Sequence, residues 1–441
     1  MHGVSVPASD TWKTVVFPFR QFAQEGWGTK VPFDATRVTN LSFYLRGPDG
    51  GSGSLQIDDL KVVRTVPAVE PDMPVNPPAV PADEPAGSLV ITNPLQAKAE
   101  AYLTRGYNIT DWLESERFSG FVYDEDFVSR LALAGFKGLR LPIDLDRYVD
   151  SKTGTGASLA ITLNSDLFTI LDAFDAWTRD HGLSLTIDYH QYDGSLLQSE
   201  PDSLALAVLL WGKVAEHFAS NPREDLFFEL LNEPELSFGG STKPTQAQWT
   251  TLAEQMTAAI RATDQTHTLI FGDVSWYGID ALASRAPLSD ANVIYAFHDY
   301  DPYIFTHQGA SWAGMGTTHD VPYPYSAERW SPYYADLGFS PQMEPWLLAS
   351  AKSYYGTGNR SAIRNRILKA KRWAVTNNLP VICNEFGAYD GSSRLEDRQR
   401  YYTDVVSIFE ELAIPWQHWF MVMDASGQVI PEYRAAMHLG L

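Results

Sequence analysis

The sequence predicts an α/β protein: a (β/α)8 TIM barrel preceded by a small, incomplete all-β segment of sandwich type. Three observations carry this. From residue 89 onward, eight short apolar runs alternate with amphipathic helical patterns. Residues 65–88 hold seven prolines and neither lysine nor arginine, a composition that favours extended polyproline II and reads as a linker. Ahead of that linker, Thr11–Phe19, Val38–Leu45 and Ser54–Val63 alternate apolar and polar residues between glycine-rich turns, the pattern of short antiparallel strands. The domain bounds therefore fall at 1–64, 65–88 and 89–441.

In the first segment, Trp12-Lys13-Thr14-Val15-Val16-Phe17-Pro18-Phe19, Gly26-Trp27-Gly28 and Ile57-Asp58-Asp59-Leu60 resemble the second half of a carbohydrate-binding β-sandwich module. A closed two-sheet sandwich needs about 100 residues, and this piece has 64, so open strand edges are expected. Pairing with a second copy in a homodimer, docking on the barrel of a monomer, and a remnant without function are the readings that follow.

In the barrel, strands are expected to finish near Asn108, Pro142, His190, Glu233, Asp273, Tyr300, Glu385 and Trp419. Helices are expected over Asp166–Asp180, Leu204–Phe218, Gln248–Thr263, Ile363–Thr376 and Arg398–Leu412, from apolar residues at three and four spacing. Stop signals such as His181-Gly182 and Asn377-Asn378 follow. Right-handed crossovers between parallel strands close such a series into a barrel. The stretch from Asp301 to Arg360 has no strand of its own and is rich in aromatic rings, among them Tyr303, Phe305, Trp312, Tyr323, Trp330, Trp346 and Tyr354. Such a loop is seldom idle. Its rings either stack on sugars or form a small core for the loop.

Charge and cysteine narrow the function. Lys+Arg number 33 and Asp+Glu 54, giving 33 − 54 = −21, which opposes a nucleic-acid partner through like-charge repulsion. Cys383 is the single cysteine, so internal disulfides and cysteine metal clusters are excluded. It lies two residues before Glu385, on the same expected strand face; a buried small hydrophobe and a nucleophile are its two readings. No run approaches the roughly 20 apolar residues of a membrane helix, so no membrane partner is expected. Met1-His2-Gly3 runs directly into strand-like sequence, as in a chain trimmed of a leader, and a secreted, extracellular protein is expected.

Chemistry concentrates at two acids. Glu233 lies in Phe227-Phe228-Glu229-Leu230-Leu231-Asn232-Glu233-Pro234 and Glu385 in Val381-Ile382-Cys383-Asn384-Glu385-Phe386-Gly387. Each closes an apolar run that reads as a buried parallel strand, and carboxylates at the C-terminal tips of barrel strands are where such folds keep their chemistry. Two of them suggest glycoside hydrolysis, one handling the proton at the glycosidic oxygen while the other attacks or activates water. Arg140, His190, Asn232, His298, Tyr300 and Trp419 stand at the other tips and are expected to converge on the same pocket.

This set resembles the clan of retaining (β/α)8 glycosidases, and most closely glycoside hydrolase family 5, over residues 95 to 435. The matching elements are Leu139-Arg140-Leu141-Pro142, Asp188-Tyr189-His190, Leu231-Asn232-Glu233-Pro234, His298-Asp299-Tyr300, Asn384-Glu385-Phe386-Gly387 and Trp416-Gln417-His418-Trp419. The resemblance implies that Glu233 is the acid/base and Glu385 the nucleophile, with Arg140 and Tyr300 holding Glu385 ionised. It further implies that Asn232 donates to the sugar 2-hydroxyl, that His190 and His298 hydrogen-bond the same sugar, and that Trp419 forms its floor, Trp416 being the alternative. Asn108, Asp144, Tyr192 and Trp276 either line outer subsites or are structural; Glu229 is read as an anchor for a neighbouring strand. No metal or other cofactor is needed. The expected activity is a retaining endo-β-1,4-glucanase on a β-glucan polysaccharide. A mannanase or xyloglucanase is the alternative within the family, and a non-catalytic polysaccharide-binding protein the alternative outside it.

Overall fold

The computed structural model describes residues 2–3, 23–24, 89–110, 112–114, 123–191, 202–221, 223–234, 243–330 and 345–419. The expected partial sandwich, apart from the paired dipeptides His2–Gly3 and Ala23–Gln24, and the proline-rich linker lie outside these residues. By its contacts the chain divides into two units, 1–75 with 326–352 and 76–325 with 353–441. The second unit carries the barrel.

Its strands are β1 (Gly106–Asn108), β2 (Gly138–Ile143), β3 (Ser184–Tyr189), β4 (Leu226–Glu229), β5 (Thr268–Gly272), β6 (Val293–Asp299), β7 (Val381–Phe386) and β8 (Trp416–His418). All pair in parallel with their sequence neighbours, and β8 pairs with β1 to close the sheet. Seven of the expected ends fall within one residue of the observed ones. The exception is Glu233: β4 stops at Glu229, and Glu233 sits on the turn that follows. Every residue of these strands is buried, because the barrel interior covers one face and the helices the other.

The helices form where caps and spacing ask for them. Ser165–Asp180 starts on Asn164, whose side chain accepts from the Asp166 amide, and buries Leu167, Leu171 and Phe174. Gln246–Arg261 begins with a reciprocal Thr245/Gln248 capping box. Arg360–Asn377 ends at Asn378, which takes the left-handed conformation at φ 50° and whose Oδ1 accepts from the backbone amides of Thr92 and Asn93. Ser203–Phe218 and Leu395–Glu411 complete the expected set. Glu125–Ala134 adds a helix between β1 and β2, capped by Asp124 and stopped by Gly135 at φ 99°.

The stretch after β6 is more ordered than expected. It contains a helix at Tyr303–Thr306 and a longer one at Pro345–Thr357. Leu347, Ala351 and Tyr354, at helical spacing, are the buried positions of the latter. Within the barrel unit Phe305, Tyr323 and Tyr401 form a ring cluster, so these rings act as a local core, whereas Trp312 stays half exposed. Among the described residues no helix is long and apolar enough to cross a membrane.

Candidate active site

The C-terminal end of the barrel is organised around Arg140, on β2. Its side chain is fully buried, and its rigid fork of donors is spread over several acceptors. Nε and Nη2 grip the two oxygens of Glu229 at 2.7 Å each. Nη1 donates to Oε1 of Glu385 at 2.6 Å and to Oδ1 of Asn108 at 2.9 Å. Nη2 also reaches Oδ1 of Asn232 at 2.8 Å and Oδ2 of Asp188 at 2.9 Å. Burial alone would lower its pKa; Asp188, Glu229 and Glu385 outweigh that and hold the guanidinium charged.

Glu385 is buried at the end of β7. Besides Arg140, the Tyr300 hydroxyl donates to its Oε2 at 2.9 Å, and Nδ1 of His298 lies 3.5 Å from the same oxygen. Burial pushes this carboxyl up from the usual range, against the opposing pull of the Arg140 guanidinium. Its orientation depends on a bulge. Phe297 pairs with Cys383 but His298 with Glu385, and on the other side Cys383 pairs with Trp416 but Phe386 with His418. One extra residue in β7 thus breaks the alternation, and Asn384 also turns inward, donating to Oε1 of Glu229 at 2.8 Å. The expectation that Cys383 shares the face of Glu385 is corrected by this bulge. Cys383 pairs with Phe297, not with His298, and so faces away from the site; burial pushes its thiol well up, and the buried-hydrophobe reading holds.

Glu233 occupies the turn after β4 in the left-handed region, φ 39°, a strained place for a non-glycine residue. Two buried groups hold the segment there. The Trp211 indole donates to the carbonyl of Leu230 at 2.7 Å and the Tyr277 hydroxyl to that of Leu231 at 2.5 Å, while the backbone N–H of Asn232 donates to the carbonyl of Tyr189 at 2.8 Å. The Glu233 side chain keeps 26% exposure and its Oε1 lies 2.7 Å from Nδ1 of His298. Atoms of Glu233, His298 and Glu385 all lie within 4.8 Å of one another. Three such donors could face a cation, but the Arg140 guanidinium already supplies positive charge at Glu385.

The remaining residues close the pocket. Asn232 Nδ2 meets Nε2 of His190 at 3.1 Å, and His190 lies flat against Trp419, with centroids 5.6 Å apart and planes at 17°. Burial lowers both His190 and His298 to about 4, so both are neutral imidazoles at pH 7. Trp419 borders the site, and Trp416 is fully buried elsewhere. All eight residues expected from the sequence, Arg140, His190, Asn232, Glu233, His298, Tyr300, Glu385 and Trp419, therefore fall in one connected network. Asn108 is structural, donating to the carbonyls of Asn384 and His418, and buried Asp144 caps a short turn and pairs with Arg147. Trp276 is 55% exposed beside Lys243, and Tyr192 lies outside the described residues.

Sequence reasoning missed Tyr277, whose ring lies 4.7 Å from His298. Its signal was its place just beyond the tip of β5. Its left-handed φ of 53°, shared with Ser275 and Trp276, could not be read from the sequence.

Comparison with known proteins gives the lineage. The family model for cellulase, glycosyl hydrolase family 5, matches residues 95–424. The chain belongs to glycosyl hydrolase family 5. Among relatives of this family-5 chain, Endoglucanase 3 of Fibrobacter succinogenes is 42% identical over 458 aligned positions, spanning 100% of this chain and 69% of that protein. Endoglucanase C of Acetivibrio thermocellus is 28% identical, over 71% of this chain and 90% of its own length. In structure, the family-5 barrel resembles endoglucanase Cel5A from the hyperthermophile Thermotoga maritima, with a TM-score of 0.62 and 25% identity, covering 77% of this chain and 98% of that one.

Proposed function

We propose that this chain is an endo-β-1,4-glucanase that hydrolyses internal bonds of cellulose-like or mixed-linkage glucans with retention of configuration. One observation carries the reading: an oxygen of Glu233 lies within 4.8 Å of one of Glu385. A retaining pair sits about 5 to 5.5 Å apart, whereas an inverting pair leaves about 6.5 to 9.5 Å for a water. The relatives named endoglucanase support the substrate class.

In this reading Glu385, aimed by Arg140 and Tyr300, attacks the anomeric carbon while Glu233 gives its proton to the departing glycosidic oxygen. With Glu385 esterified, Glu233 takes a proton from water, which releases the sugar. Asn232 donates to the 2-hydroxyl, a bond that strengthens as the ring flattens toward the oxocarbenium ion. His190 and His298 bind the same sugar over the Trp419 floor. A polymeric substrate places the reaction outside the cell, so secretion belongs to the same proposal.

The test is release of reducing sugar from carboxymethylcellulose, barley β-glucan, xyloglucan and mannan by the native chain and by Glu233→Gln and Glu385→Gln. Activity on the first two substrates, abolished in both variants, is expected. Preference for mannan or xyloglucan would overturn the substrate assignment, and inactivity on all four would leave a polysaccharide-binding protein.

A further inference from the structure

Asp188 takes no part in the displacement proposed above, yet it is fully buried directly beneath it, at the end of β3. A single oxygen, Oδ2, receives both of its polar contacts, from Nδ1 of His190 at 2.8 Å and from Nη2 of Arg140 at 2.9 Å. The other oxygen, Oδ1, is buried without a hydrogen-bond partner among the described residues. On the far side of the imidazole, Nε2 faces Nδ2 of Asn232 at 3.1 Å, and Oδ1 of Asn232 accepts from Arg140 at 2.8 Å.

We propose that Asp188 is a positioning residue: it locks His190 in the Nδ1–H tautomer and thereby turns the Asn232 amide so that one N–H remains for the sugar 2-hydroxyl. The inference rests on the reading of Asn232 given under the proposed function.

The logic is one of donors and acceptors. A neutral imidazole has one N–H and one lone pair, an amide nitrogen only donates, and a guanidinium only donates. With the proton on Nδ1, His190 donates to Asp188 and its Nε2 accepts from Asn232, whose oxygen accepts from Arg140; each of these three contacts is matched. With the proton on Nε2, two donors would face each other. Flipping the Asn232 amide to relieve that would press its NH2 against Arg140. The stacked Trp419 ring hinders His190 from rotating out of the conflict. Asn232 thus spends its oxygen on Arg140 and one N–H on His190, and the second N–H stays free for substrate. Burial also pushes the Asp188 carboxyl up to about 7. A proton taken up near neutrality goes to the unpartnered Oδ1, and Oδ2 is left as the acceptor. Asparagine is isosteric with that form.

The experiment compares kcat/KM for an aryl β-cellobioside and for its analogue lacking the 2-hydroxyl on the sugar that is attacked. The ratio of the two cancels any loss of folded enzyme. Asp188→Leu is expected to shrink the native ratio about tenfold, the worth of one hydrogen bond in the transition state, as does Asn232→Ala, while Asp188→Asn restores it. Nitrogen-15 spectra of the His190 ring should show Nδ1–H in the native and Asp188→Asn proteins and a shift toward Nε2–H in Asp188→Leu. An unchanged ratio in Asp188→Leu beside a reduced one in Asn232→Ala, or an unchanged tautomer, overturns the proposal. An unchanged ratio in Asn232→Ala overturns the reading of Asn232 instead, and the tautomer spectra then decide the lock by themselves.

Discussion

Asn384 and Glu385 are consecutive on one strand, yet both side chains point into the barrel, Asn384 donating to Glu229 at 2.8 Å and Glu385 accepting from Arg140 at 2.6 Å. The bulge in β7 makes this possible, and its consequence is a single polar cluster in which Arg140 ties together Glu229, Asp188 and the candidate nucleophile. Anchoring and chemistry share the same guanidinium.

Removing that guanidinium should be costly. Arg140→Met leaves the buried carboxyls of Asp188, Glu229 and Glu385 without their cation, and breaking a buried ion pair in this way costs about 3–5 kcal/mol. The loss has a definite pH sign. A carboxyl whose folded pKa is raised, as burial raises Asp188 from 3.8 to about 7, binds more proton folded than unfolded, so its contribution is favourable at low pH and is lost as pH rises through that interval. Urea unfolding at pH 5 and pH 8 should therefore find the variant relatively more stable at pH 5; equal destabilisation at both would argue against an uncompensated charge cluster.

The two glutamates should separate in chemical rescue. Glu385→Gly is expected to lose about 10⁴-fold or more in kcat and, with azide, to form the glycosyl azide of inverted configuration. Glu233→Ala should lose about 10²–10⁴-fold on polymer but much less on dinitrophenyl glycosides, whose leaving group needs no proton. Rescue with the two outcomes exchanged would reverse the role assignment.

The sequence carried the site further than it carried the backbone beneath it. Arg140, His190, His298, Tyr300 and Trp419 were legible because each stands at or just past the tip of an apolar run, and barrel topology brings all such tips to one face. Glu233 is legible as a candidate by its place after an apolar run, but the run overstates the strand by four residues: β4 ends at Glu229, and Leu230-Leu231 continues the apolar run into a turn held by Trp211 and Tyr277. The bulge at Asn384 was not legible, since it reflects pairing with β6 and β8 together. The helix Pro345–Thr357 was hidden by its rings, although Leu347, Ala351 and Tyr354 carry helical spacing.

Buried histidines fix a second pH dependence. His190 and His298 are lowered from 6.5 to about 4 and His307 to about 3, burial being the first cause in each. A base whose folded pKa is depressed binds more proton unfolded, so each withdraws about 1.4 kcal/mol of stability per pH unit as pH falls below 6.5 toward its folded value. Proton NMR should show the three rings flat between pH 8 and 5. Midpoints near 6.5 would mean that they are solvated.

Packing around Tyr277 supplies a test remote from the chemistry. A Cβ on Gly272 would lie 2.1 Å from the Tyr277 ring, so Gly272→Ala must displace the ring that holds Leu231 and touches His298. Destabilisation of about 1–3 kcal/mol, the usual result of overpacking, should appear in thermal unfolding together with lower kcat. A fully native variant would show that Tyr277 is not a support for the Glu233 turn.

The measurement that bears most directly on the paired glutamates is the anomeric configuration of the first product, followed by proton NMR during hydrolysis of a cello-oligosaccharide. With two carboxyls this close, the β-anomer is expected to form first and then to mutarotate. Initial release of the α-anomer would contradict double displacement through Glu385.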